Sequence, residues 1–188
     1  MHKNLLNSFI FFLIGLTPGL VSAECSPFYL GVNAARFDSK FNSYEPRGAM
    51  AHLGWDMNNW LALELAGGGS ENYRDEQSGN TTQVDYVGSA FVRFNLRFNH
   101  VTVYLLGGYS STQQTATTGA VTTETSSSGG SYGYGIDFYG TRDLALSFRR
   151  VEFIDIDDPN NASENVHLGA TMIGITYYFD KPRIHRRY

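Results

Sequence analysis

The chain has 188 residues, 14 basic against 18 acidic for a formal charge of −4, with one cysteine, 20 glycines and 14% aromatics. That length fits one domain, the acidic balance argues against a nucleic-acid partner, and a lone Cys25 excludes an internal disulfide scaffold and a Cys-based zinc site. Many aromatics and glycines beside only 17% charged residues make a β-rich profile that leaves few groups for enzymatic chemistry.

The first element is an export segment, residues 1–23. Lys3 with no acid, the apolar run Phe9 to Leu16 and the small-x-small Val21-Ser22-Ala23 have the order of a signal peptide with cleavage after Ala23. An uncleaved anchor is the weaker alternative, because the run is shorter than the roughly 18 apolar residues of a spanning helix and Pro18 and Gly19 break it. Lipid attachment at Cys25 is disfavoured by Glu24, which stands where a small residue is needed.

From residue 24 onward no stretch keeps apolar residues at helical spacing, and alternation predicts eight two-faced strands. In the first, Phe28, Leu30, Val32 and Ala34 oppose Tyr29, Gly31, Asn33 and Ala35. In the second, Ala49, Ala51, Leu53, Trp55 and Met57 oppose Gly48, Met50, His52, Gly54 and Asp56. A two-residue Asn58-Asn59 link leads to Leu61, Leu63 and Leu65 against Ala62, Glu64, Ala66 and Gly68. The fourth sets Tyr86, Gly88, Ala90, Val92, Phe94 and Leu96 against Asp85, Ser89, Phe91, Arg93, Asn95 and Arg97. The fifth sets Val101, Val103 and Leu105 against Thr102, Tyr104 and Gly108. Tyr132, Tyr134, Ile136 and Phe138 oppose Gly133, Gly135, Asp137 and Tyr139 in the sixth. In the seventh, Leu144, Leu146 and Phe148 oppose Ala145, Ser147 and Arg149. The eighth sets Ile173, Ile175, Tyr177 and Phe179 against Gly174, Thr176 and Tyr178, while Val166 to Thr171 fits either phase poorly.

Links near 58–59, 99–100 and 140–143 are short. Those at 38–47, 71–82, 111–127 and 155–165 are long and rich in Ser, Thr, Asn, Asp and Gly, so all long loops fall at one end. Eight antiparallel strands, this loop asymmetry and an export signal make the outer-membrane barrel pattern, with both termini at the short-turn, periplasmic end. Closure follows physically, because lipid offers no hydrogen-bond partner to an open sheet edge. The mean hydropathy of −0.25 fits, since only every second strand residue needs to be apolar. Phe28, Trp55, Phe98, Phe138 and Phe179 near the turns, with Tyr86 and Tyr132 towards the loops, are the expected aromatic girdles.

A water-soluble barrel would point its apolar row inward. The other row, however, carries His52, Glu64, Arg93, Asp137 and Arg149, which cannot line a dry pocket unpaired. Counted from the turns, these groups lie at similar depth, so they are expected to form one interior charge network. An eight-stranded barrel is narrow enough for side chains to plug it.

This plan resembles the outer membrane protein A-like, porin-like family of eight-stranded outer-membrane β-barrels over the whole mature chain. The resemblance implies an interior acid on strand three, a base on strand four, an acid on strand six and an arginine on strand seven, matched here by Glu64, Arg93, Asp137 and Arg149. It also implies that the closing strand, with Tyr177 and Phe179, is read by the outer-membrane insertion machinery. Nine residues follow Phe179, a departure, so either the signal works internally or Tyr188 substitutes for it. The family carries no fixed activity.

Other candidates read as structural. His52 and Asp56 share a face but stand roughly 13 Å apart along an extended strand, too far for a base and its orienting acid. The His-Ser pair of lipid A deacylases is absent, since Leu168 and Gly169 follow His167. Asp155 to Asn161 is oxygen-rich but lacks the Gly and distal Glu of a calcium loop. Residues 111–127 form the longest expected extracellular loop, suited to host or phage contact or simply a variable tip. The sequons Asn80-Thr81-Thr82 and Asn161-Ala162-Ser163 mean little in an exported bacterial protein. Lys181, Arg183, Arg186 and Arg187 make residues 180–188 a basic periplasmic tail, able to meet anionic headgroups or serve as an ordinary terminus.

The expected fold is therefore an all-β, eight-stranded antiparallel up-and-down transmembrane barrel over residues 24–179. The expected role is that of a monomeric, non-enzymatic bacterial outer-membrane protein without cofactor or metal, acting through structure or surface contact. Its partners would be outer-membrane lipid, lipopolysaccharide and the insertion machinery. A narrow porin-like channel of the same fold and a secreted soluble barrel holding an apolar ligand are the alternatives.

Overall fold

A computed structural model describes residues 28–39, 46–74, 81–119, 121–156 and 166–179. The export segment, Cys25, the basic tail and residues 157–165 lie outside the described residues. Eight long strands form: β1 Phe28–Ser39, β2 Arg47–Asp56, β3 Leu61–Ser70, β4 Thr81–Arg97, β5 Val101–Thr118, β6 Val121–Tyr139, β7 Leu144–Ile156 and β8 Val166–Tyr178. Every strand pairs antiparallel with its chain neighbours, and β8 returns to β1 from Tyr29↔Tyr178 to Ser39↔Leu168, so the sheet closes on itself. A two-residue strand, Tyr73–Arg74, adds to the far end of β4. None of the described residues is helical.

Period-two alternation decides what each side chain meets. The row that begins with Phe28, Leu30 and Val32 faces outward on β1 while Tyr29, Gly31 and Asn33 are buried, and the same division runs around the barrel. Large apolar residues are therefore on the outside, with Leu65 62% and Leu105 61% exposed, which is the reverse of a soluble ligand-binding barrel. At the short-turn end Phe28 stacks on Trp55 at 6.4 Å, and Phe138 meets Phe148 edge-on at 6.2 Å. Phe98 and Phe179 are exposed at that end, and Tyr86 and Tyr132 are exposed towards the other. Trp60, Tyr109 and Tyr134, which the alternation left out of the girdles, are also outward, with Trp60 stacked on Phe94 at 6.4 Å.

Four local expectations change. The Asn58-Asn59 link is a wider turn: Met57 and Asn58 amides donate to the Leu61 carbonyl at 2.9 and 3.2 Å, and Asn58 Oδ1 accepts from the Trp60 and Leu61 amides at 2.9 and 2.8 Å. Asn58 thus serves as an internal cap and delivers Trp60 to the outer face. Asp85 faces outward, because a bulge between Val84 and Tyr86 shifts the phase and buries Val84 and Val87 instead. There Asp85 accepts a hydrogen bond from Thr115 Oγ1 at 2.6 Å.

The third change concerns residues 111–127, which are not a loop. Strands β5 and β6 run through them to a tight turn in which Thr118 pairs with Val121 and Gly119 takes a φ of 63°, a left-handed value suited to glycine. Thr-rich sequence has high strand propensity, and a ribbon wet on both faces shows no hydrophobic period to betray it. Fourth, the first half of β8 keeps the inward phase, with Leu168, Ala170 and Met172 buried. It reads ambiguously because here the interior is apolar while the outer positions are Gly169 and Thr171.

The closing seam carries a clasp. On the outer face, Arg150 of β7 reaches over β8 to Asp38 of β1, bonding Asp38 Oδ2, Glu152 Oε1 and Thr171 Oγ1 at 2.7 Å each. The guanidinium passes where the side chain of residue 169 would stand; a Cβ there would lie 2.5 Å from Arg150 Nη2, so Gly169 makes the crossing possible.

The two tryptophans of the chain, Trp55 and Trp60, both face outward. In liposomes whose acyl chains carry bromine, Trp fluorescence is expected to be quenched relative to unbrominated lipid. Unchanged emission would mean that the apolar rows do not meet lipid.

Candidate functional site

Inward positions build three tiers along the barrel axis. At the short-turn end Tyr29, Tyr178 and Tyr139 gather around Ala62 and Ala145, with ring centroids 5.2 Å apart for Tyr29–Tyr178 and 5.4 Å for Tyr139–Tyr178. At the same end Asp56 pairs with Arg97 at 2.5 Å. Above them lies a charged tier made by His52 of β2, Glu64 of β3, Arg93 of β4, Asp137 of β6 and Arg149 of β7, each at most 4% exposed.

Glu64 sits between the two arginines. Arg149 Nη1 donates to Glu64 Oε1 at 2.7 Å, while Glu64 Oε2 lies 3.5 Å from Arg93 Nη1 and accepts from the Tyr29 hydroxyl at 3.0 Å. Arg93 Nη2 bonds Asp137 Oδ2 at 2.6 Å, and the Tyr178 hydroxyl donates to that same oxygen at 2.6 Å. Ser147 donates to Asp137 Oδ1 at 2.6 Å. The Arg93 guanidinium lies over the Tyr104 ring, 3.6 Å from its centroid, a close cation–π contact. Both carboxylates are thereby held by charge-assisted hydrogen bonds, the condition under which a buried charge is tolerable.

His52 is held by neutral and cationic neighbours, with Asn33 Nδ2 at 3.1 Å from Nδ1 and Arg149 Nη2 and Thr176 Oγ1 each 3.2 Å from Nε2. Asp56 is engaged with Arg97 instead, so the structure does not join His52 and Asp56 into an acid–base pair. Sequence reasoning placed Tyr29, Asn33, Tyr104, Ser147, Thr176 and Tyr178 on the inward rows but gave them no role. Their phase was legible, whereas which of them would reach the charges depends on register and on the tilt of the strands.

Beyond the charges the interior turns apolar. Phe37, Met50, Phe91, Leu106, Val151 and Phe153 are buried in one cluster that fills the bore. The cavity left between this plug and Asn33, His52 and Arg149 measures about 10 Å³, the space of a single water. At the mouth, Ser131 donates to Ser110 at 2.8 Å and Ser110 to Ser89 at 2.7 Å, a hydroxyl chain across three strands.

Outside the mouth the wall is uneven. β4, β5 and β6 have 17, 18 and 19 residues, while the other five strands have 10 to 13. β6 pairs with β7 only over Ser131–Tyr139, so Val121–Gly130 has β5 on one side and no strand among the described residues on the other. The ribbon is faced by hydroxyls, with Thr117 bonded to Thr122 and Tyr109 to Ser128, each at 3.1 Å. The candidate calcium loop beginning at Asp155 and the second sequon fall on side chains outside the described residues.

Residues 9–179 match the family described as outer membrane protein beta-barrel domain. Among solved structures, the chain is similar to Ail, the attachment invasion locus protein of Yersinia pestis, at 17% identity, covering 83% of this chain and 100% of that one with a TM-score of 0.60. Ail has also been solved in complex with the heparin analogue sucrose octasulfate. Neisserial surface protein A aligns at 17% identity over 81% of this chain and 96% of its own, with a TM-score of 0.57. The N-terminal barrel domain of Pseudomonas aeruginosa OprF aligns at 10% identity over 80% and 97%, with a TM-score of 0.59. No curated protein matches the chain.

Glu64→Ala leaves Arg149 and Arg93 short of a buried anion and is expected to cost about 3–5 kcal/mol of stability, whereas Glu64→Leu with Arg149→Met costs less because no such orphan remains. Urea unfolding in lipid vesicles, followed by the shift between folded and boiled migration on a gel, measures both. Equal unfolding of Glu64→Ala and the parent would remove the network from any structural role.

Proposed function

The chain belongs to the outer membrane protein beta-barrel domain family and lies in the bacterial outer membrane, and on that premise we propose that it is a non-enzymatic surface-contact protein working through the β4–β6 ribbon. The observation that carries this reading is the ten-residue run Val121–Gly130, whose backbone donors and acceptors on one side meet no strand among the described residues. Such a row of amides and carbonyls is a template for pairing with an extended segment of another protein. Glu124 is its one charged residue, so pairing there meets little repulsion.

The orientation puts the ribbon outside the cell, because short turns face the periplasm and long connections the exterior in this class of barrel. Ail, named for attachment and invasion, has the same fold, and its complex with a sulfated sugar is a property of that protein which motivates the same question here. The plugged bore supports a closed barrel over the narrow-channel alternative. Tyr177 and Phe179, whose rings meet at 4.9 Å on the outer face of the closing strand, are the proposed signal for the insertion machinery, and a monomer in contact with lipid and lipopolysaccharide is the proposed assembly. Residues 1–23 as a cleaved signal and 180–188 as a periplasmic tail belong to the same reading.

Replacing residues 112–127 by an Asn-Gly turn removes the ribbon and leaves the inward tiers intact. Cells displaying this form are expected to lose attachment to immobilised matrix proteins or heparin while the protein keeps its folded gel migration. In planar bilayers both forms are expected to show no conductance steps. Undiminished attachment would overturn the ribbon reading, and resolved steps would favour the channel.

A further inference from the structure

The upper part of β6 has an edge with no guard. Along Val121–Gly130 it pairs with β5 in unbroken register on one side, while on the other β7 joins it only from Ser131↔Phe153 downward. Exposed edges are commonly protected by lysine, proline, a bulge or an inward charge. This run has no lysine, arginine or proline, and its one charge, Glu124, stands on the outward row with Ser126 and Ser128. Val121, Thr122, Thr123 and Thr125 are β-branched, which favours the extended form. Fully extended, the run reaches roughly 30 Å beyond the point where β7 joins.

Direction decides what the edge can meet. β6 descends from its turn at Gly119 to the short-turn end. In two copies upright in one membrane the open edges therefore run the same way, whereas in copies whose membranes face each other they run in opposite directions. Only the second arrangement gives an antiparallel ladder with a two-fold axis across the strands, so that one patch serves both sides. In such a ladder facing residues both offer or both withhold their main-chain groups, and a strand offers them at alternate positions. A residue thus faces its own copy or a residue an even number of positions away.

The side chains choose among the registers that remain. Centring on Glu124 sets two carboxylates directly opposite, which weakens pairing. Centring on Ser126 leaves Thr122 and Thr123 facing the partner's Gly130 and the partner's Gly129. Centring on Thr125 gives every threonine a hydroxyl opposite: Thr122 faces the partner's Ser128, Thr123 the partner's Ser127 and Thr125 its own copy, while Glu124 faces the partner's Ser126.

We propose that Val121–Gly130 pairs edge to edge, in the register centred on Thr125, with the same run of a second copy on a facing cell. This rests on the ribbon reading and names the ribbon's partner. The chain stays a monomer within its own membrane. One such ladder is short and weak, and many copies in two opposed membranes make the contact strong.

Cells displaying the full chain are labelled in two colours, mixed and scored for clusters, with folded gel migration as the check on display. Parent cells are expected to cluster with one another and not with cells lacking the chain. Thr125→Lys sets a cation against its own copy and Thr125→Glu an anion, so each variant alone is expected to cluster about ten-fold less, while the two mixed recover the parent level in clusters of both colours. A parent that does not cluster, clustering with bare cells, undiminished clustering of either variant, or variants that stay apart when mixed would each overturn self-pairing. If the Thr125 variants do not fold, Glu124→Lys is mixed with the parent. The introduced cation then lies diagonal to the partner's Glu124, and the mixture is expected to cluster more than the parent alone; equal or weaker clustering overturns the proposal. The same cells are scored on immobilised heparin and matrix proteins. Attachment without clustering removes self-pairing and leaves the ribbon reading standing, whereas clustering that survives replacement of residues 112–127 removes both.

Discussion

A peptide group placed in hydrocarbon has no water to bond, and this one constraint governs the molecule. It forces each strand to find a partner on both sides wherever lipid surrounds it, and the only sheet that achieves this is one whose last strand meets its first. The β8–β1 ladder supplies that meeting over eleven paired residues. Where the wall rises past the lipid the requirement lapses, and it is there, along Val121–Gly130, that β6 goes on without a second strand beside it among the described residues. Open edge and closed wall are the same chemistry in two solvents.

Closure in turn dictates the interior. Eight strands enclose a bore too narrow to stay empty yet lined by every second residue of the chain. The three tiers solve this in different ways: tyrosines interlock near the turns, ion pairs satisfy one another at mid-depth, and aliphatic and phenyl groups close the outer half. The ionised tier is tolerable because its carboxylates face arginines and hydroxyl donors at 2.6 to 3.0 Å. The apolar plug above it keeps water from competing for those bonds.

Much of this was legible from residue order alone, and the failures are informative. Where one face meets lipid and the other meets polar partners, as in Phe28 to Ala35 or Leu144 to Arg149, alternation identified strand, phase and orientation. Reading stalled where the two faces stop differing. In Val166 to Thr171 the inward residues are as apolar as a lipid face, and in residues 111–127 both faces are wet, so neither carries a period. Asp85 was misplaced because a bulge adds a residue that no composition rule announces. Glu64, Arg93, Asp137 and Arg149 could be brought to one depth by counting from turns, but the contributions of Tyr104 and Tyr178 depend on how far the strands lean, which counting does not supply. Trp60 escaped notice because Asn58 builds a wider turn than its dipeptide suggested.

The ionised tier also has a history within the molecule. Glu64 and Arg149 are 85 residues apart and belong to strands that are not neighbours, as do Arg93 and Asp137, 44 residues apart. A barrel zipped only as far as β6 would hold Glu64 without Arg149, its closest cation, and would leave the Arg93–Asp137 pair open to bulk solvent. The charges at the axis act as a checksum on strand order, one that a misthreaded or truncated chain cannot balance.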